Sequence, residues 1–292
     1  MLEMAAMRAE RRRQRATEDK GYSPSTEEST KSRAEALEKL ELLQKERQRL
    51  ETDLQQQRQM RAAMLALHEP SAMQVERHVQ ISDTWLRVRQ DATLAQGGLL
   101  WSSGLLLARY LRRRGLQQIM ESDQKPSVLE LGCGVAALPS LLVAGDALSV
   151  CATDLPEILP MTSENLKINA SYVDVNPGVI ELMAFDWSSQ VSIGRTFDLL
   201  LAADLLYDPQ LQEPLVECFQ HSVAAGGRAL VTFQERDAVV ETRFFDALLQ
   251  RGFQVCCPDI DGDLKDLPPG LKLREVIRCD RSDGDMQEQQ DG

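Results

Sequence analysis

V-L-E-L-G-C-G at residues 128–134 decides the fold. Val128 to Leu131 read as a strand, and it runs without a break into Gly132 and Gly134. Glycines there let the backbone turn tightly and approach a ligand with no Cβ in the way. Working outward, strands and helices alternate. A helix over 136–144 is followed by SVCATD (149–154), a helix over 157–169, VIELMAF (179–185) and FDLLLAAD (197–204). A helix near 211–224, RALVTFQ (228–234), a helix near 239–250, FQVCC (253–257) and KLREVIRC (272–279) complete the series. Buried strands joined by crossover helices predict a doubly wound, mostly parallel α/β sheet. Between the last two strands lies only the loop CPDIDGDLKDLPPG, so the last strand is expected to pair antiparallel.

Upstream, residues 74–81 and 84–89 are β-prone and flank Ser82-Asp83, the pattern of a hairpin. Gly97-Gly98 marks a loop, and a helical pattern from 102 to 111 stops at Arg112–Arg114 and Gly115. Residues 1–30 are polar and of low complexity and are expected to be disordered, as is the acidic tail 280–292. Residues 31–70 read as a helical extension. Leu40, Leu43, Leu50, Leu54 and Met64 follow coiled-coil spacing, but Arg47, Gln57 and Arg61 fall on the same seam, so the coiled coil is weak. The expected domain is therefore residues 71–279.

Residues 1–70 carry 14 Lys/Arg and 13 Asp/Glu, net +1, so the remainder carries −13 of a total net charge of −12. An acidic body repels phosphate backbones and argues against a nucleic-acid partner. The six cysteines include no Cys-x-x-Cys pair and the three histidines are scattered, which argues against a metal site. No secretory signal or membrane-length apolar run is evident. The expectation is free thiols in the cytoplasm, or in the nucleus as well. The loop 259–263 (DIDGD) lacks the glycine and glutamate positions of a calcium loop and reads as a polar loop, and Arg112–Arg114 as a solvated helix end.

Asp154 follows the next strand, 22 residues beyond Gly132, where a carboxylate can accept hydrogen bonds from both hydroxyls of a ribose. A pyrophosphate-binding turn would read G-x-G-x-x-G; GCGVAALPS does not complete it. Glu130 before the turn suits a cationic ligand instead. The sulfonium and ammonium of S-adenosylmethionine fit that environment.

G-G-L-L-W (97–101), V-L-E-L-G-C-G, T-D-L (153–155), F-D-W (185–187) and A-D-L-L-Y (203–207) occur in one order. In this the chain resembles the seven-β-strand, Rossmann-like class I protein-lysine methyltransferases. That group includes the enzymes acting on valosin-containing protein, heat-shock chaperones and elongation factors. The resemblance covers about residues 74–279. It implies S-adenosylmethionine as cofactor, with Trp101 lying over it. Gly132, Cys133 and Gly134 would hold the methionine moiety, Asp154 the ribose, Trp187 the adenine edge and Ala203 the methionine end. It further implies that Asp204 and Tyr207, a D-x-x-Y motif, face the target amine, and that the partner is a protein substrate such as a chaperone, ATPase or translation factor. Ala136 departs from the pattern, standing where many members have a third glycine.

Each residue has a plainer reading. Asp204 could begin a loop, Tyr207 could pack there, and Trp101 and Trp187 could be core aromatics. Leu205 and Leu206 stand where enzymes that methylate adenine or glutamine place two prolines, which favours an aliphatic amine. Arginine, histidine or a small-molecule amine as acceptor, and a non-catalytic scaffold recruited through residues 32–67, stay open. If the extension selects the substrate, deleting residues 1–70 changes which proteins in a cell extract are methylated. An unchanged labelling pattern contradicts that role.

Overall fold

The computed structural model describes Lys45 and residues 74–279. The expected disorder of 1–30 and 280–292, and the helix and weak coiled coil of 31–70, lie outside the described residues. Hairpin strands β1 (Gln74–Ile81) and β2 (Thr84–Asp91) pair around a two-residue turn, with Ile81 opposite Thr84. Seven further strands form one sheet: β3 (Ser127–Leu131), β4 (Ser149–Asp154), β5 (Ile180–Ala184), β6 (Phe197–Ala203), β7 (Val223–Gln234), β8 (Phe253–Cys256) and β9 (Leu271–Arg278). Their order is β5-β4-β3-β6-β7-β9-β8. β5, β4, β3, β6 and β7 pair in parallel. β9 runs antiparallel between β7 and β8, as expected where no α-helical crossover precedes it.

Period-two burial sends alternate residues of each strand to opposite faces. In β6, Leu199 and Leu201 join one apolar cluster while Leu200 and Ala202 join the other. The three leucines are wholly buried, and each contributes about 1.5–3 kcal/mol of transfer free energy. The first cluster takes in the hairpin (Val79, Ile81, Leu86, Val88) together with helices α1 (Ser102–Arg114), α2 (Leu116–Met120), α3 (Leu138–Val143) and α4 (Leu159–Asn169). The second takes in α5 (Gln212–Ser222) and α6 (Ala238–Gln250), where Phe219 and Phe244 meet edge to face at 5.6 Å.

Three departures from the sequence reading have physical causes. The helix expected from 136 begins at Leu138, because Ala137 takes a left-handed φ of 42° to complete the turn after Gly134. The helical pattern from 102 continues through the basic cluster to Arg114, and Gly115 at φ 74° ends it. Arg112–Arg114 are exposed at the helix end, as read, but Arg113 also reaches the loop 259–263, which is more than a polar loop. Asp263 is 3% exposed and accepts Arg113 Nε at 3.0 Å and Nη2 at 2.7 Å, while the Asp259 carbonyl accepts Nη2 at 2.8 Å. The pair ties α1 to the loop before β9.

Two asparagines one turn apart on α4 join the hairpin to the sheet. Asn169 accepts from the Arg87 amide and donates to its carbonyl, at 2.8 and 2.7 Å. Asn165 does the same for Arg89, both at 2.8 Å, and also donates to the Val135 carbonyl beside the glycine turn, at 2.8 Å. Each side-chain amide thus supplies β2 with the donor and acceptor that a neighbouring strand would. Both asparagines are buried, so the groups they serve have no ready substitute partner. Asn165→Ala is expected to lower stability by about 2 kcal/mol in urea unfolding; an unchanged unfolding midpoint contradicts this role.

Candidate functional site

The parallel strands end on one edge of the sheet, and the connections reverse direction at β3. β3 continues through α3 to β4 on one side, and β6 lies on its other side. A crevice opens at such a switch point beyond the strand ends. Here it is a cavity of about 410 Å³. All ten residues singled out in the sequence line it: Trp101, Glu130, Gly132, Cys133, Gly134, Asp154, Trp187, Ala203, Asp204 and Tyr207.

The turn after β3 forms its floor. Gly132 and Gly134 have φ of 60° and 58°. A Cβ on Gly132 would come within 2.6 Å of Leu205 and 3.3 Å of Trp187, so this wall has room only for glycine. The Cys133 amide donates to the Thr153 carbonyl at 2.9 Å, and the Gly134 amide donates to Asp154 Oδ2 at 2.7 Å. Asp154 Oδ1 takes the Leu155 amide at 2.8 Å. Each oxygen keeps a lone pair in reserve, enough for one further donor apiece. Burial raises the Asp154 carboxyl above its ordinary value despite these bonds.

Glu130 is buried beneath the turn, with Oε2 accepting the Ser140 amide at 2.9 Å. Burial pushes its carboxyl up to about 7. Burial also raises the Cys133 thiol, so Cys133 serves through its backbone and shape rather than as a nucleophile. All six cysteines are free. Among the described residues no group of three or more His, Cys, Asp or Glu side chains is placed to hold a metal ion, and no helix is long and apolar enough to cross a membrane.

The segment between the hairpin and α1 forms part of the wall; the sequence had singled out Gly97–Trp101 of it, but not Thr93, Leu94, Ala95 and Gln96. The Gly97 carbonyl accepts the Val135 amide at 2.8 Å, and the Trp101 indole donates to the Gln96 carbonyl at 2.9 Å. A Cβ on Gly98 would fall 1.9 Å from the Asp91 carbonyl oxygen. Glu157, Ile158, Asp186 and Leu211 complete the lining from the loops after β4, β5 and β6. The Gly-Gly pair was the visible signal for this segment; Asp186 stood in the F-D-W motif, while Glu157 had no signal.

Ala203 ends β6, and Asp204 turns away from it at φ 61°, its amide held by the Thr232 carbonyl at 2.8 Å. Its buried carboxylate meets both arms of the Arg236 guanidinium, at 2.8 and 2.9 Å. Asp204 therefore does not simply await an incoming amine, as its place in the D-x-x-Y motif implies; one side of it is already occupied. Arg236 had no sequence signal. Trp187 lies against the turn, and its buried indole N–H has no partner among the described residues.

Among the described residues, the lining contains five carboxylates, from Glu130, Asp154, Glu157, Asp186 and Asp204, and no Lys, Arg or His. Such a cavity disfavours a phosphate and accepts a cation. The Asp154 acceptors, the glycine cradle and the carboxylates fit a nucleoside that bears a positive charge.

Comparisons with known proteins agree. A family described as lysine methyltransferase matches residues 80–251. The chain is similar to the protein N-terminal and lysine N-methyltransferase EFM7 of Candida glabrata, 28% identical over 168 residues, which cover 53% of this chain and 63% of that protein. The Aspergillus fumigatus protein of the same description is 29% identical over 196 residues, 61% of this chain and 73% of that protein. The protein-lysine methyltransferase METTL21E of Bos taurus is 35% identical over 142 residues, 45% of each. The alignment thus spans less than two thirds of the first and third of these relatives.

Glu130 links stability to pH. Its native value lies above the ordinary carboxyl range, so between about 4.5 and 7 the native state holds a proton that the unfolded state has lost. Stability contributed by this site therefore falls as pH rises through that window and is level above it. Glu130→Gln removes the dependence. The urea midpoint of the variant, relative to wild type, is expected to climb between pH 5 and 7; a constant difference contradicts the buried carboxyl.

Proposed function

This chain belongs to the lysine methyltransferase family, and on that premise we propose that the cavity holds S-adenosylmethionine and that the protein methylates the side-chain amine of a lysine on another protein. The observation that carries the reading is the base-free lining with its five carboxylates. When bound, S-adenosylmethionine supplies an electrophilic methyl on a sulfonium: the amine lone pair forms the N–C bond as the C–S bond breaks, its electrons passing to sulfur.

The protein's task is alignment and charge control. The spare lone pairs of Asp154 accept the two ribose hydroxyls. The turn at Gly132, Cys133 and Gly134 admits the methionine end against Ala203, and Glu130 lies below as the buried countercharge. A cation beside Glu130 draws its carboxyl back toward the ionised form, so binding near neutral pH releases a proton. Trp187 flanks the adenine and Trp101 covers the cofactor. Asp204 and Tyr207 line the part of the cavity where the acceptor enters; Tyr207 is partly exposed and offers a ring face or a hydroxyl.

A protein acceptor follows from the family and its relatives. The names of the fungal relatives also include the protein N-terminus, whose amine reacts by the same chemistry. Residues 31–70 are proposed as the segment that selects the substrate.

Incubating a cell extract with the protein and methyl-tritiated S-adenosylmethionine tests the reading. A protein band is expected to gain label and to yield methyl-lysine on acid hydrolysis. Asp204→Ala is expected to lose at least about 90% of that label, a penalty of about 1.4 kcal/mol or more in the barrier. Label in methyl-arginine or in small molecules alone contradicts the lysine assignment.

A further inference from the structure

The Asp204–Arg236 pair is not accounted for by cofactor binding. Arg236 lies at the end of the segment after β7. Its own amide is held by Glu241 Oε1 at 2.8 Å, and the next residue, Asp237, caps α6 by accepting from Val239 and Val240. The helix start thus fixes where the guanidinium projects. Its side chain is 42% exposed while that of Asp204 is 6% exposed, so the pair runs from the solvent edge to the cavity wall. Both arms of the fork are used, one per carboxylate oxygen. Hydrogen bonding to Asp204 raises Arg236 further above its already high value, so it stays a cation throughout the range in which a lysine titrates.

Resting on the methyltransferase reading above, we propose that Arg236 is a positioning residue for the methyl acceptor. It holds the outer side of Asp204, so that the pair presents an aligned oxygen with no net charge and receives lysine as a neutral amine. Alone, the buried carboxylate would favour the ammonium, which has no lone pair and cannot react. With the guanidinium in place that preference is cancelled, while an oxygen lone pair on the cavity side still accepts one N–H. The proton shed by the ammonium passes to water, and the neutral nitrogen keeps its lone pair for the methyl carbon. Both Asp204 oxygens already accept from the guanidinium, so Asp204 is assigned the orientation of the amine through a remaining lone pair.

Other charged groups of this corner are constant across the comparison below. Tyr207 follows Asp204 on the same loop, Glu241 comes from α6, and Glu235 pairs with Lys272 of β9 at 3.9 Å. Asp186, Glu157, Asp154 and Glu130 face the cavity from the other strand ends. Saturating cofactor fixes the state of Glu130.

The test compares wild type, Arg236→Gln and Arg236→Lys. Cofactor affinity is measured by calorimetry, and the initial rate of tritium labelling of the substrate band in extract is followed from about pH 7 to 10. Arg236→Gln is expected to keep cofactor binding and to move the midpoint of the pH–rate curve up by about one unit, since an uncompensated carboxylate then faces the amine. Arg236→Lys, which keeps the charge but not the fork, is expected to lower the rate and leave the midpoint in place. A purely structural role would lower the rate at every pH without moving the midpoint in either variant, and that result overturns the proposal. If Arg236→Gln fails to fold, Arg236→Met, which also removes the charge, takes its place: a midpoint raised by about one unit supports the proposal, and one unmoved overturns it. A wild type that binds no cofactor and labels no protein overturns the functional reading, and this inference with it. Normal wild-type labelling with an unmoved Arg236→Gln midpoint overturns this inference alone.

Discussion

The hydrogen bond from the Gly134 amide to the Asp154 carboxylate joins the ends of β3 and β4, and the rest of the site is arranged around it. It requires a left-handed turn at Gly132 and Gly134, which brings the backbone of this loop to the cavity floor. It fixes one Asp154 oxygen while leaving it able to accept another donor. The same turn is gripped from the opposite side, where Gly97 accepts the Val135 amide and Asn165 donates to the Val135 carbonyl. Sheet, hairpin, α4 and the segment before α1 therefore converge on four consecutive residues.

Charge is the second organising element. The cavity buries Glu130 and Asp154 and carries three further carboxylates, an arrangement that burial alone disfavours. At Asp204 the offset comes from within the chain, through Arg236. At Glu130 it comes from protonation, its carboxyl standing near 7, until a cation is bound. The two acids thus face the same cavity with different electrostatic roles. One keeps its partner permanently; the other is held ready for a ligand.

Much of this was legible in the sequence because it is local. V-L-E-L-G-C-G specifies strand, turn and helix within a few residues, and the ten residues chosen from the linear motifs all line one cavity. The hairpin register followed from a two-residue turn. What escaped is made of side chains far apart in the chain. Arg236 meets Asp204 across 32 positions, Asn165 meets Arg89 across 76, and Arg113 meets Asp263 across 150. No periodicity encodes such partners, since they meet only after the sheet has ordered its strands. The early helix start assigned near Ala136 failed for a local reason: an alanine at left-handed φ is uncommon, and pattern reading gives it no weight.

The central claim is that a base-free, carboxylate-lined cavity selects a positively charged nucleoside, and calorimetric titration addresses it most directly. S-adenosylmethionine and NAD would be titrated separately into the wild type, and S-adenosylmethionine into Asp154→Ala. The account predicts saturable binding of S-adenosylmethionine, at least about tenfold weaker binding by the variant, and no binding of NAD, whose pyrophosphate meets only carboxylates. Equal affinity for the two nucleotides, or no heat with S-adenosylmethionine, would contradict it.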